Sequence, residues 1–147
     1  MQLSMNRVYG SDVSDFNQRI IDEFRANQGY VQTAGFGSGL VLLHTVGAKT
    51  GEPRVSPVLG VAHDGAWLVV ASKAGAPTNP AWYHNLLAHP DVTIETGVTT
   101  VEVTAADVDP EEYDEAWALF AGRSPGFEEY KARAGGRVLP IVRLTPR

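Results

Sequence analysis

Apolar residues recur along this chain in two rhythms, one that suits a helix and one that suits a strand. Phe16, Ile20, Ile21 and Phe24 fall on one side of a helical period, with Ser14 placed as a cap. This predicts a helix over residues 14–26, ended by Gly29, after an irregular tail over 1–13. Past a Gly-rich stretch (Gly35, Gly37, Gly39) the pattern predicts three strands, over 40–46, 54–62 and 67–71. Gly47-Ala48-Lys49-Thr50-Gly51-Glu52 and His63-Asp64-Gly65 are the tight connections between them. Pro57 lacks an N–H and so suits an edge, a bulge or a strand end better than a fully paired centre.

Residues 72–78 read as a loop leading to Asn79-Pro80, the cap and first-turn proline of a short helix that carries Trp82 and Tyr83. Two strands over 92–96 and 98–105 alternate apolar with polar positions about the hinge Gly97. Asp109-Pro110-Glu111-Glu112 has the form of a capping box ahead of Tyr113, Ala116, Trp117 and Phe120. Ser124-Pro125-Gly126-Phe127 opens another helix, and residues 137–144 form a last strand interrupted by Pro140. Six strands with hairpin spacing and no regular βαβ alternation predict an α+β fold. The expected architecture is a mainly antiparallel barrel with flanking helices, closed by the last strand.

A length of 147 residues fits a single domain with one core. The absence of cysteine excludes disulfides, thiolate metal sites and cysteine nucleophiles. A net charge of -5 argues against a protein that holds nucleic acid by its phosphates. Apolar runs are far too short for an integral membrane segment, and residues 1–15 show no signal-peptide core, so the expected location is cytoplasmic.

Against this acidic background, the only basic side chains between Arg25 and Arg123 are Lys49, Arg54 and Lys73. An antiparallel meander brings all three to one end of the sheet, beside Gly47, Gly51 and Gly75, whose backbone N–H groups suit an anion. Neither a P-loop nor a dinucleotide fingerprint is present: Gly35-Phe36-Gly37-Ser38-Gly39 precedes a strand instead of opening a helix. His44, His63, His84 and His89 have poor ligand spacing, so no metal is expected, and they read as surface or hydrogen-bonded histidines. Phe127 and Tyr130 suit core packing or the roof over a planar ligand equally well.

Three segments carry a family resemblance. They are residues 42–57 with Gly47-Ala48-Lys49-Thr50-Gly51-Glu52-Pro53-Arg54, residues 70–86 with Ser72-Lys73-Ala74-Gly75-Ala76-Pro77-Thr78-Asn79-Pro80, and Leu139-Pro140-Ile141-Val142. Together they resemble the small split β-barrel nitroreductases and quinone reductases that depend on the deazaflavin coenzyme F420. The resemblance implies that Lys49 and Arg54 hold the phosphate and acidic tail of the cofactor. It further implies that Thr50, Ser56, Pro57, Ala71, Ser72, Lys73, Gly75, Ala76 and the Trp82 to Asn85 segment, with Trp82, Tyr83 and Asn85 foremost, line the cofactor's path. Tyr130 and Ser72 are the implied catalytic residues, beside a small-molecule acceptor such as a quinone or nitroaromatic that takes a hydride from the reduced cofactor. Ser124 and Phe127 stand where such nitroreductases carry further tyrosines. An FMN-binding split-barrel oxidoreductase and a non-catalytic F420 carrier are the alternatives, and a homodimer is compatible with each.

Overall fold

The computed structural model describes residues 5–71, 79–123, 126–133 and 138–147, with side chains from residue 15 onward apart from that of Tyr130. Strand β1 (Leu40–Val46) pairs with β2 (Pro53–His63), which turns into β3 (Ala66–Val70). β4 (Asp91–Thr96) and β5 (Thr99–Asp107) form a hairpin, and β6 (Ile141–Pro146) lies between β3 and β5. Pairing of β1 with β4 closes an antiparallel barrel in the order β1-β2-β3-β6-β5-β4. The barrel, its flanking helices and the last strand completing it by bridging β3 and β5 agree with the sequence reading. No helix among the described residues is long and apolar enough to cross a membrane.

Strand alternation explains where the core lies. Val41 and Leu43 share one cluster with Val69, Ile94, Val103, Val142 and Leu144, contributed by five strands facing the barrel interior. Leu40 and Leu42, on the opposite face of β1, pack on Ile20, Ile21 and Phe24 of helix α1 (Met5–Ala26). Leu68 and Val70 of β3 likewise face outward, onto Ala116, Trp117 and Phe120 of α3 (Tyr113–Arg123) and Phe127 of α4 (Gly126–Arg133). β1 and β3 therefore read as continuous apolar runs because both of their faces are covered.

Residues 53–59 of β2 pair with β1 only, and pairing with β3 begins at Gly60. The barrel is split along that edge. Pro57, opposite Leu42, lies in the one-sided stretch, where a missing N–H removes no bond to β3. Two tight turns fix the registers. Asp64 (φ 53) and Gly65 (φ 78) both take positive φ between β2 and β3, and Gly97 (φ 81) opens the β4–β5 turn.

Four local expectations are corrected. α1 begins at Met5, so the tail expected to be irregular over 1–13 is helical from residue 5. Its apolar spacing continues backward through Val13, Tyr9, Val8 and Met5, and this outweighs the weak helix formers Gly10 and Ser11. Pro80, not Asn79, is the N-cap of α2 (Ala81–Ala88), without a side-chain cap hydrogen bond. Asp109 makes no side-chain cap bond either, because the chain enters α3 through a tighter turn, Pro110–Glu112. Glu112 instead accepts from Arg143 at 3.1 Å. Finally, β6 starts after Pro140 instead of being interrupted by it.

The C-terminal end of α1 is locked to the β4–β5 hairpin. Gly29, at φ 96, donates its N–H to Phe24 O at 2.7 Å, and a Cβ there would stand 2.6 Å from Gly97 Cα. Both the left-handed conformation and backbone contact with another glycine exclude a side chain. Gly29→Ala is therefore expected to destabilise the fold by about 3 kcal/mol. Equilibrium denaturation checks this, and an unchanged midpoint would show that α1 does not dock so closely.

A few residues away, Arg25 donates to Glu95 at 2.7 and 3.1 Å, and His44 Nε2 lies 2.6 Å from the same carboxylate. Chiefly the Arg25 bonds, with help from His44, hold the Glu95 carboxyl below its ordinary 4.5 despite the opposing effect of burial. A carboxyl depressed by folding adds stability above its unfolded pKa and loses it as pH falls through the folded value. The melting temperature should thus fall more steeply on acidification in the parent than in Glu95→Gln, with the two curves converging below about pH 4. Parallel curves would remove Glu95 from the acid response.

Candidate cofactor site

The β1–β2 connection is built as a closed turn. Gly47 N–H donates to Glu52 O at 2.8 Å, and Gly51 N–H donates to Gly47 O at 2.9 Å with φ 73 at Gly51. Glu52 N–H donates to Thr50 Oγ1 at 3.2 Å, and a Cβ at Gly47 would come within 2.5 Å of that same oxygen. The sequence suggested that Gly47 and Gly51 offer N–H groups to an anion. Both are instead used inside the turn.

α2 is latched onto this turn by one buried amide. Asn85 Oδ1 accepts the Ala48 N–H at 2.9 Å, while Asn85 Nδ2 donates to Thr45 Oγ1 at 3.3 Å. Both side chains are buried, so the pair satisfies polar groups that would otherwise be costly. Between the turn and the helix lies a cavity of about 670 Å³, a size that suits an organic cofactor. Lys49, Thr50, Arg54 and Ser56 line its barrel side, and Ala81, Trp82, His84 and Asn85 line its helix side.

No carboxylate lines this cavity among the described residues. Arg25, Arg133, Arg143 and Arg147 are all ion-paired, whereas Lys49 and Arg54 are exposed and make no ion pair among the described residues. Two uncompensated cations beside the indole of Trp82 fit a planar group that carries an acidic tail.

The residues implied by the sequence divide three ways. Lys49, Thr50, Arg54, Ser56, Trp82 and Asn85 come together in the cavity. Pro57, Ala71 and Tyr83 do not line it. Pro57 alternates to the face opposite Ser56, Ala71 is buried in the barrel interior with its N–H on Pro140 O, and Tyr83 is turned away. The Tyr83 hydroxyl donates to Asp107 at 3.1 Å in a separate cavity of about 450 Å³, and burial, then the Asp107 charge, pushes its pKa up. Ser72, Lys73, Gly75 and Ala76 lie outside the described residues, as does the Tyr130 side chain. Phe127 is a core residue, edge-on to Trp117 and Phe120, and does not roof a ligand. His84 lies within the Trp82 to Asn85 segment that the resemblance implied would line the cofactor's path, although its own residue pattern read only as a surface or hydrogen-bonded histidine. Its signal was present in its spacing, three residues after Ala81 and next to Asn85 on one helix face.

A family model of F420H(2)-dependent quinone reductases matches residues 17–146. This chain belongs to that family. The cofactor and enzyme class anticipated from the sequence, an F420H2-dependent reductase, follow with it. The F420H(2)-dependent quinone reductase Rv1261c of Mycobacterium tuberculosis is 45% identical over 111 residues, 73% of either chain. An F420-H2 dependent reductase of known structure, FDR-A, superposes with a TM-score of 0.66 at 34% identity over 72% of this chain and 93% of its own. Another solved chain, described as a domain-swapped dimer, gives a TM-score of 0.68 at 30% identity over 92% of this chain and 98% of its own. The haem storage protein HutZ of Vibrio cholerae, at 23% identity and a TM-score of 0.56, shares the fold alone.

Proposed function

We propose that this protein reduces quinone-type planar acceptors at the expense of F420H2, holding the phosphate and acidic tail of the cofactor with Lys49 and Arg54. The observation that carries this reading is a pair of cations, without ion-pair partners or a lining carboxylate among the described residues, in a cavity of a chain with net charge -5. The opposite overall charge disfavours nucleic acid at the same mouth.

When bound, the reduced deazaflavin supplies a hydride to the acceptor. The chain's own work is positioning. Lys49 and Arg54 fix the anionic end by charge-assisted hydrogen bonds. Asn85 keeps the 47–52 turn against α2, so that Lys49 and Trp82 hold a constant separation. Trp82 and Ala81 give the cavity an apolar wall, and Ser56 offers a hydroxyl from the inward face of β2. In this reading Lys73, Gly75 and Ala76 extend the rim, and Ser72 and Tyr130 donate hydrogen bonds to the acceptor oxygen as negative charge develops there. Tyr130→Phe should lower kcat/KM for quinones by about 10-fold while leaving cofactor affinity unchanged. An unchanged kcat/KM would remove Tyr130 from the site. The reading places the enzyme in the cytoplasm as a homodimer, the latter supported by the relative described as a domain-swapped dimer.

Fluorescence titration with F420 and with FMN tests the cofactor assignment. F420 is expected to bind at least about 10-fold more tightly, since only its tail adds carboxylates for the two cations. Equal or tighter binding of FMN would favour the FMN-dependent alternative.

A further inference from the structure

We infer that His84 is a third, pH-dependent cation of the tail-binding mouth, so that affinity for the acidic cofactor tail rises when this imidazole is protonated. The inference rests on the F420 reading above and deepens it. His84 is exposed at the cavity wall that faces Lys49 and Arg54, and it adjoins Asn85, the residue that fastens α2 to the turn bearing Lys49.

The other histidines have different surroundings. His44 is committed to Glu95 at 2.6 Å, and His63 lies 3.3 Å from Asp64. Neither they nor His89 line the cavity.

The groups around His84 decide what its protonation does. From the turn and β2, the cations Lys49 and Arg54 line the same cavity as His84. On its own helix the Tyr83 ring stands edge-on at 5.9 Å, with its hydroxyl directed to Asp107 in the other cavity. Glu52, the carboxylate of the turn, is not part of the lining. With no described acid to neutralise it there, a protonated His84 adds to the positive potential that Lys49 and Arg54 create. A polyanionic ligand then stabilises that protonated form, and linkage requires that protonation tighten the ligand in return. Because this mouth is open to water, the gain is modest, about 3- to 5-fold.

The test measures fluorescence titrations at about pH 6 and about pH 8. The probes are F420 with its oligoglutamate tail and the tailless deazaflavin riboside, which reports any titration of the ring itself. The variants are His84→Gln and His84→Lys. After subtraction of the tailless control, wild-type affinity for F420 should fall about 3- to 5-fold from the lower to the higher pH. His84→Gln should be weak at both values and His84→Lys tight at both. Each apo variant should melt with the parent, since His84 is exposed. A His84→Gln profile that falls in parallel with wild type would overturn the role of His84 while leaving the F420 reading intact. Failure of wild type to bind F420 at either pH would overturn both.

Discussion

Replacing Lys49 and Arg54 together by alanine is expected to weaken F420 binding by about 100- to 1,000-fold without moving the melting temperature of the apo protein. Each exposed side chain loses a charge-assisted contact of about 1.5–2 kcal/mol, and neither contact is replaced by water at equal strength. Stability should not change, because both side chains are exposed and neither is ion-paired among the described residues. The deficit should shrink as salt rises, since added ions screen the parent's advantage. A double variant that bound F420 like the parent would place the tail elsewhere. One that melted early without the cofactor would make these residues structural.

Asn85 is expected to give the opposite signature, losing stability and affinity together. Asn85→Leu keeps the branched shape but deprives the Ala48 N–H and the Thr45 hydroxyl of their partner, at a cost of about 2 kcal/mol. Freed from α2, the 47–52 turn no longer presents Lys49 at a fixed distance from Trp82, and F420 affinity should drop by about 10-fold. Asn85→Asp separates the two effects. It retains an acceptor for Ala48 and can accept from Thr45, so the fold should hold, while its charge at the cavity wall opposes an anionic ligand. Denaturation and titration of both variants decide the matter. Full affinity in Asn85→Leu would show that the latch does not position the site.

Much of the barrel was legible because its signals are local. The alternation in 92–96, the Asp64-Gly65 turn and the two-faced apolar runs of β1 and β3 each specify a strand without reference to distant residues. The helix termini were less legible, since capping residues describe a tendency that tertiary contacts override. Glu112 illustrates this, because its carboxylate goes to Arg143, a partner 31 positions away, and not to the cap.

In the site, the cations were visible from their scarcity in an acidic chain. What sequence could not assign was the direction of side chains on α2. Trp82, Tyr83, His84 and Asn85 are adjacent in the chain, yet Tyr83 turns toward Asp107 and the other three line the cavity. The role of the Gly47 and Gly51 amides was equally hidden. Whether a glycine N–H meets a ligand or closes its own turn depends on the hydrogen bonds of the folded loop, and here both close the turn.

Whether this protein passes the reducing equivalent of F420H2 to a quinone is decided by a single turnover. Enzyme preloaded with F420H2 is mixed anaerobically with a benzoquinone or naphthoquinone, and deazaflavin oxidation is followed by stopped-flow absorbance. Oxidation is expected to saturate with quinone and to exceed the enzyme-free reaction by at least about 1,000-fold. The double Lys49 and Arg54 variant should recover rate only at much higher cofactor concentration. Tight binding of F420H2 with oxidation no faster than in the absence of enzyme would contradict the claim and identify the protein as a carrier.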